Sequence, residues 1–126
     1  MDYQHTRRYL LSKPEAVEDF PFGPEVAVFK IRGKMFATLA WHEGIARTNL
    51  KCDPQEAIAL RTVFDAVLPG YHMNKMHWNT VLLNDEVPEP ELCRMIDRSY
   101  ALVVKGLKKP DRASLELQYG VDTLYQ

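Results

Sequence analysis

A chain of 126 residues with 46% hydrophobic and 26% charged side chains has the size and composition of one globular domain, able to bury a core without staples. Its formal net charge of −1 excludes a surface built throughout for nucleic acid, so any such role depends on local clustering of cations. Two cysteines, Cys52 and Cys93, with no CxxC between them, exclude a disulfide framework and a zinc pattern.

The opening stretch MDYQHTRRYLLSKPEAVEDF lacks the apolar run of a signal peptide, and no later stretch approaches a membrane span. The expectation is a cytoplasmic protein with no membrane partner. Residues 2–11 read as a helix, with Tyr3, Arg7 and Leu10 at helical spacing and Pro14 beyond its end. EDFPFGPE, residues 18–25, holds two prolines and a glycine and predicts an extended or turning connection. VAVFKIR (26–32) alternates as a strand. Gly33-Lys34 is the Gly-X pair of a type II′ hairpin leading into a strand over 35–42. Glu43-Gly44 offers a second tight turn into a strand over 45–52. Asp53, Pro54, Gln55 and Glu56 set out an N-cap acceptor, a first-turn proline and a capping-box carboxylate. The helix they start is expected to run to about Val67, with Ala57, Leu60, Phe64 and Val67 on one face, and to stop at Pro69-Gly70. YHMNKMHWNTV (71–81) leads into a strand over 79–83. Pro88 and Pro90 then precede a helix over 91–106 whose Leu92, Met95, Ile96, Ser99 and Val103 form a stripe.

The order α-β-β-β-α-β-β-α predicts a two-layer α+β domain over residues 1–107, an antiparallel five-stranded sheet with helices on one face. Residues 108–126 form a C-terminal tail alternating weakly around Leu115, Leu117 and Tyr119. That pattern is compatible with a strand, a partner-binding arm or loose chain.

Chemistry-bearing residues are few. His72 and His77 are five apart, a spacing that suits no helical or zinc-knuckle ligand pair, so no metal is expected. Cys52, beside the helix start at Asp53, is a candidate nucleophile with His42 as its base. No motif surrounds it, and a small buried cysteine accounts for it as well. The carboxylates Asp85, Glu86, Glu89 and Glu91 sit in a turn and a helix start, where they favour the cap and dipole. No phosphate loop or dinucleotide fingerprint is present, and neither enzymatic activity nor a cofactor is expected. Charge is more informative. Between Glu25 and Lys51, five cations (Lys30, Arg32, Lys34, Arg47 and Lys51) stand against Glu25 and Glu43, a local +3. Strand periodicity puts Lys30 and Arg32 on one face, and Arg47, Asn49 and Lys51 on one face. Lys75 extends the set. Such a face suits phosphate contact, while exposed strands also carry Lys and Arg for solubility and to blunt their edges.

DFPFGPEVAVFKIRGKMFATL (19–39), NKMHWNTV (74–81) and SYALV (99–103) resemble the three signature stretches of the MmcQ/YjbR family of small bacterial proteins. The resemblance covers nearly all of residues 1–107. It implies a fold similar to the CyaY-like and secretion-chaperone α+β class, DNA binding through a double-wing arrangement, and no enzyme activity. Within it, Trp78 is expected to anchor the core with Tyr100 packed near it. His77, on the opposite face, joins Lys75 as an outward contact. The DNA-contacting set is then Lys30, Arg32, Lys34, Arg47, Lys51, Lys75 and His77. The alternative is a protein-interaction module, homodimeric or holding a protein client, whose edge strand or tail adds to another sheet.

Overall fold

The computed structural model describes residues 1–70 and 73–126. The elements in chain order are α1 (Tyr3–Leu11), β1 (Val17–Asp19), β2 (Val26–Ile31), β3 (Lys34–His42), β4 (Ile45–Lys51), α2 (Pro54–Val63), β5 (Val67–Pro69), β6 (Trp78–Leu82), α3 (Glu89–Lys105), α4 (Lys109–Tyr119) and α5 (Val121–Leu124). Every strand pairing is antiparallel, and the sheet runs β1-β2-β3-β4-β6-β5. The expected α+β class with an antiparallel sheet is observed, but with six strands rather than five.

Both extra edge strands come from segments assigned otherwise. β1 lies in the connection before the meander, where Val17, Glu18 and Asp19 pair with Lys30, Phe29 and Val28. β5 replaces the last turn expected of α2. That helix ends at Val63 because Phe64 adopts an extended conformation, φ −120° and ψ 122°. The chain then buries Ala66 and Val67 against the sheet. Asp53 caps α2 as expected, accepting from the Gln55 and Glu56 N–H groups at 3.2 and 3.3 Å. Glu56 pairs with Arg94 at 2.8 Å and so fastens α2 to α3.

The first hairpin turn also differs. Arg32 and Gly33 both have positive φ, 50° and 80°, and Ile31 pairs with Lys34. Two positive φ values are the mark of a type I′ turn centred on Arg32-Gly33, one residue earlier than the predicted type II′ pair. The second hairpin repeats the arrangement at Glu43 and Gly44, φ 52° and 80°.

Helices cover one face. α3 lies across β2, β3 and β4, and its Leu92, Ile96, Tyr100 and Val104 join Phe29, Ile31, Phe36 and Leu39 in the core. Ser99, read above as part of an apolar stripe, is fully buried and polar in role. Its hydroxyl donates to Phe36 O at 2.5 Å and accepts from Lys51 N–H at 2.8 Å. Tyr100 meets Phe36 edge-on, with ring centroids 5.3 Å apart, and donates to Pro14 O at 2.8 Å. It is not beside Trp78, which is half-buried and lies outside the core.

The tail is neither strand nor loose chain. It forms α4 and α5, and Leu115 and Leu124 are fully buried in the same core. Asp111 and Ser114 of α4 reach Arg32, and Tyr119 donates to Glu15 at 3.1 Å. Among the described residues no helix is long and apolar enough to cross a membrane.

Candidate functional site

The face of the sheet turned away from the helices carries the main candidate site. Register alternation assigns the side chains to it. Ala40 pairs with Arg47 and Thr38 with Asn49. Across the next ladder Arg47 meets Leu82, Asn49 meets Thr80, and Lys51 meets Trp78. A three-residue polar ladder crosses the middle of this face. Asn49 Nδ2 donates to Thr38 Oγ1 at 2.9 Å, and Thr80 Oγ1 donates to Asn49 Oδ1. These bonds fix the Asn49 amide yet leave one of its N–H groups and one lone pair uncommitted.

Two connecting segments wall this face into a depression of about 840 Å³. Phe22 and Glu25 come from the β1–β2 connection and Met73 and Asn74 from the loop before β6. Val26, Met35, Thr38, Ala40, Trp41, His42, Arg47, Asn49 and Trp78 come from the sheet. The walls are held by local chemistry. Arg61 of α2 donates to Asn79 Oδ1 at 2.6 Å and to the carbonyls of Lys75 and Trp78. Asn74 caps its own turn by accepting from Met76 N–H at 2.9 Å. At Gly70 the chain passes so close to Trp78 that an added Cβ would lie 3.0 Å from the Trp78 Cβ and carbonyl oxygen. At the rim, Trp41 pairs with Ala46 and so turns to the helix-bearing side, where it stacks on Tyr3 of α1 with ring centroids 5.4 Å apart and planes 8° from parallel, yet remains 61% exposed.

Arg47 stands out on this face. Its Nε is the one buried side-chain nitrogen or oxygen among the described residues that lacks a hydrogen-bond partner. A guanidinium is always charged and its N–H groups are costly to leave unmatched when dehydrated. The residue as a whole is only half-buried, so the outer N–H groups of its guanidinium are the part that an anionic or carbonyl-bearing ligand would meet.

The sequence-predicted cations fare differently from one another. Lys30, Arg47 and Lys51 share the helix-free face, by the register just given and by Lys30 pairing with Met35. Lys30 is held by Asp19 at 2.9 Å. Arg32 sits in the turn and is turned toward the helices, paired with Glu15 at 2.8 Å and Asp111 at 3.2 Å. Glu15's carboxyl is held below its usual range, first by the Arg32 hydrogen bond. Lys34 is exposed beside the same turn. Lys75 and His77 lie on the loop before β6, Lys75 exposed and His77 half-buried, and the His77 carbonyl accepts from Cys52 N–H at 2.8 Å. His72 lies outside the described residues, and among those described no cluster of three potential metal ligands occurs.

Cys52 and His42 are at opposite ends of β4. Cys52 borders a smaller cavity of about 300 Å³, with Asp53, Glu56, Arg98, Lys105 and Tyr125, under the C-terminal helices. Burial, then Glu56 and Asp53, push its thiol up to about 11, so at neutral pH it is protonated and poorly nucleophilic. His42 lies in the larger depression, beside Glu43 at 3.8 Å.

Phe22, an aromatic of the depression beside Trp78, was missed in the sequence. The available signal was an aromatic between two prolines in the 18–25 segment. The Arg47, Asn49 and Lys51 alternation was legible.

A single two-layer α+β domain with a walled, aromatic and arginine-bearing sheet face is therefore the class of molecule observed. The chain belongs to the YjbR family, whose model matches residues 11–102. It is 40% identical over 110 residues to the uncharacterised protein YbdF of Escherichia coli O157:H7, covering 87% of this chain and 90% of that protein. It is 30% identical over 108 residues to YjbR of Escherichia coli K12, covering 86% and 92%. Among solved structures, the Deinococcus radiodurans protein DR2400 superposes with a TM-score of 0.83 at 35% identity, covering 90% of this chain and 87% of that one. A Pseudomonas syringae protein follows with a TM-score of 0.72 at 30% identity, covering 81% and 98%.

Proposed function

We propose that this is a non-enzymatic DNA-binding protein that contacts DNA through the helix-free face of its sheet, with little sequence specificity. The observation that carries the proposal is Arg47, a half-buried arginine on a walled face whose Nε has no internal acceptor. The neighbouring cations supply phosphate contacts. Lys30 and Arg32 are already engaged by carboxylates, which limits the number of phosphates the face neutralises. With about three cations available, the logarithm of affinity falls against that of salt with a slope of about −3 on duplex. Affinity is correspondingly weak, about 10⁻⁴–10⁻⁶ M at physiological salt.

Fluorescence anisotropy of labelled DNA from low to physiological salt tests this. Arg47→Met removes the charge, keeps most of the apolar stem, and is expected to flatten the slope by about one unit. Absence of any DNA binding at low salt, where the mechanism is strongest, overturns the proposal. A second reading is favoured by one observation: Phe22 on the wall of the depression, and Phe20 and Met76 on the same two connecting segments, leave large apolar side chains exposed. Clusters of that kind mark protein contacts as well. A chain that ignores DNA and self-associates with rising concentration in sedimentation supports this reading instead. The two edge strands are three residues long, and the 114–120 stretch is helical up to Tyr119. Such edges favour face contact over strand addition as the mode.

A further inference from the structure

We infer that the depression on the helix-free face is a binding site for a small organic acid, one carboxylate on an aromatic or branched apolar body. This goes beyond the DNA reading and does not need it, since phosphate contacts leave the apolar lining of the depression unexplained. The floor is built as a pocket and not as an open sheet surface. Register places Val28, Thr38, Asn49 and Thr80 in one row on this face. Val28, Thr38 and Thr80 are buried although they point away from the helices. The connections carrying Phe22 and Met73 supply the walls. The enclosed space, about 840 Å³, falls in the range of about 300–1,000 Å³ usual for small-molecule sites. A duplex or a flat protein surface is too broad to reach such a floor.

The lining defines the occupant. Around the polar middle stand Phe22, Val26, Met35, Ala40, Met73 and Trp78, an apolar collar that gains from burying rings or branched chains and nothing from phosphates. Arg47 lies two residues along β4 from Asn49 on the same face, about 7 Å away by the rise of a strand. Among the described residues its guanidinium makes no hydrogen bond or ion pair. Glu25, the one carboxylate among the described lining residues, leaves it unpaired as well. The Arg47 Nε is shut in by the protein, so ligand contact falls to the outer N–H groups of this half-buried residue. Their fork matches the two oxygens of a carboxylate. Asn49, held by Thr38 and Thr80, keeps one N–H and one lone pair for a second contact. A single cation beside an amide, set in an apolar collar, selects a single anionic group on an apolar body.

The test is a fluorescence titration of the full chain with 8-anilinonaphthalene-1-sulfonate, an aromatic anion, which is then displaced by 1-naphthylacetate or by its uncharged amide, 1-naphthylacetamide. The inference predicts saturable binding of the probe and displacement by the acid at a concentration about 10-fold or more below that needed of the amide, the worth of a hydrogen bond to a charged group. Arg47→Met should abolish that difference, and Arg47→Lys should keep part of it. Phe22→Ala should weaken both competitors alike. Phe22 is exposed, so its replacement should leave the melting midpoint close to the parent's. In the unmodified chain, 1-naphthylacetate should shift the resonances of the Arg47 side chain, the Asn49 amide and the Trp78 indole, which locates the site even if Arg47→Met fails to fold. Equal displacement by acid and amide, a difference that survives in folded Arg47→Met, or shifts confined to other parts of the chain overturns the inference. No binding of the probe overturns it too, and self-association that Phe22→Ala dissolves then assigns the depression to a second copy of the chain. The outcome does not depend on whether DNA binds.

Discussion

Trp78 and Tyr100 exchange the roles that spacing alone would give them. A tryptophan opening a strand after an irregular loop reads as a core anchor, because large aromatics usually contribute the most buried area. Its partner in the ladder is Lys51, however, and that places it with Arg47 and Asn49 on the face without helices. Tyr100 carries the anchoring load, fully buried against Phe36 with its hydroxyl satisfied by Pro14 O. Denaturant unfolding should rank the two accordingly. Tyr100→Ala is expected to cost about 3–5 kcal/mol, the usual figure for a buried aromatic. Trp78→Ala is expected to cost about 1–2 kcal/mol, in keeping with partial burial. The reverse order would return Trp78 to the core. Parity within β4 was readable because its alternation is strict, whereas the strand at 78 follows a loop whose length does not fix which face comes first. Ser99 escaped for a similar reason. A serine in an apolar stripe looks like a small filler until a strand N–H and a strand carbonyl converge on it.

Turns and helix ends decide the elements. The cap at Asp53 was visible because it depends on residues close in sequence. The two edge strands were not, since three-residue strands have no period to detect and exist only through β2 and β6. The turn at Arg32 misled because Gly-Lys satisfies a type II′ rule, while the ladder chose the register that centres Arg32 and Gly33. Both hairpins therefore place a long side chain in the left-handed region, where Asn is tolerated better. Arg32 is compensated by its carboxylate partners. Glu43 has only a 3.8 Å approach to His42, with its side chain 85% exposed. Glu43→Asn should thus raise stability by about 0.5–1 kcal/mol, seen as a higher melting midpoint. A lower midpoint would show that the Glu43 side chain matters to the turn more than its backbone strain does.

For the molecule as a whole, the C-terminal 19 residues (108–126) belong to the fold. The sequence could not say so, because a short amphipathic helix with one buried leucine per few turns looks like weak alternation. Leu115 and Leu124 are fully buried in the common core, together worth about 3–6 kcal/mol at the usual value for a buried leucine. Domain stabilities are about 5–15 kcal/mol, so truncation after Leu107 should lower the denaturation midpoint sharply or prevent folding. A truncated chain as stable as the parent would mean that α4 and α5 do not hold the core. With the helices committed to one face, the other is left to meet a ligand. The measurement that probes this most directly is an amide and indole chemical-shift map of the full chain titrated with DNA at low salt. The account predicts that the shifts concentrate on Thr38, Arg47, Asn49 and the side-chain N–H group of Trp78, with α2 and α3 unaffected. Shifts confined to the helical layer, or none at all, would contradict it.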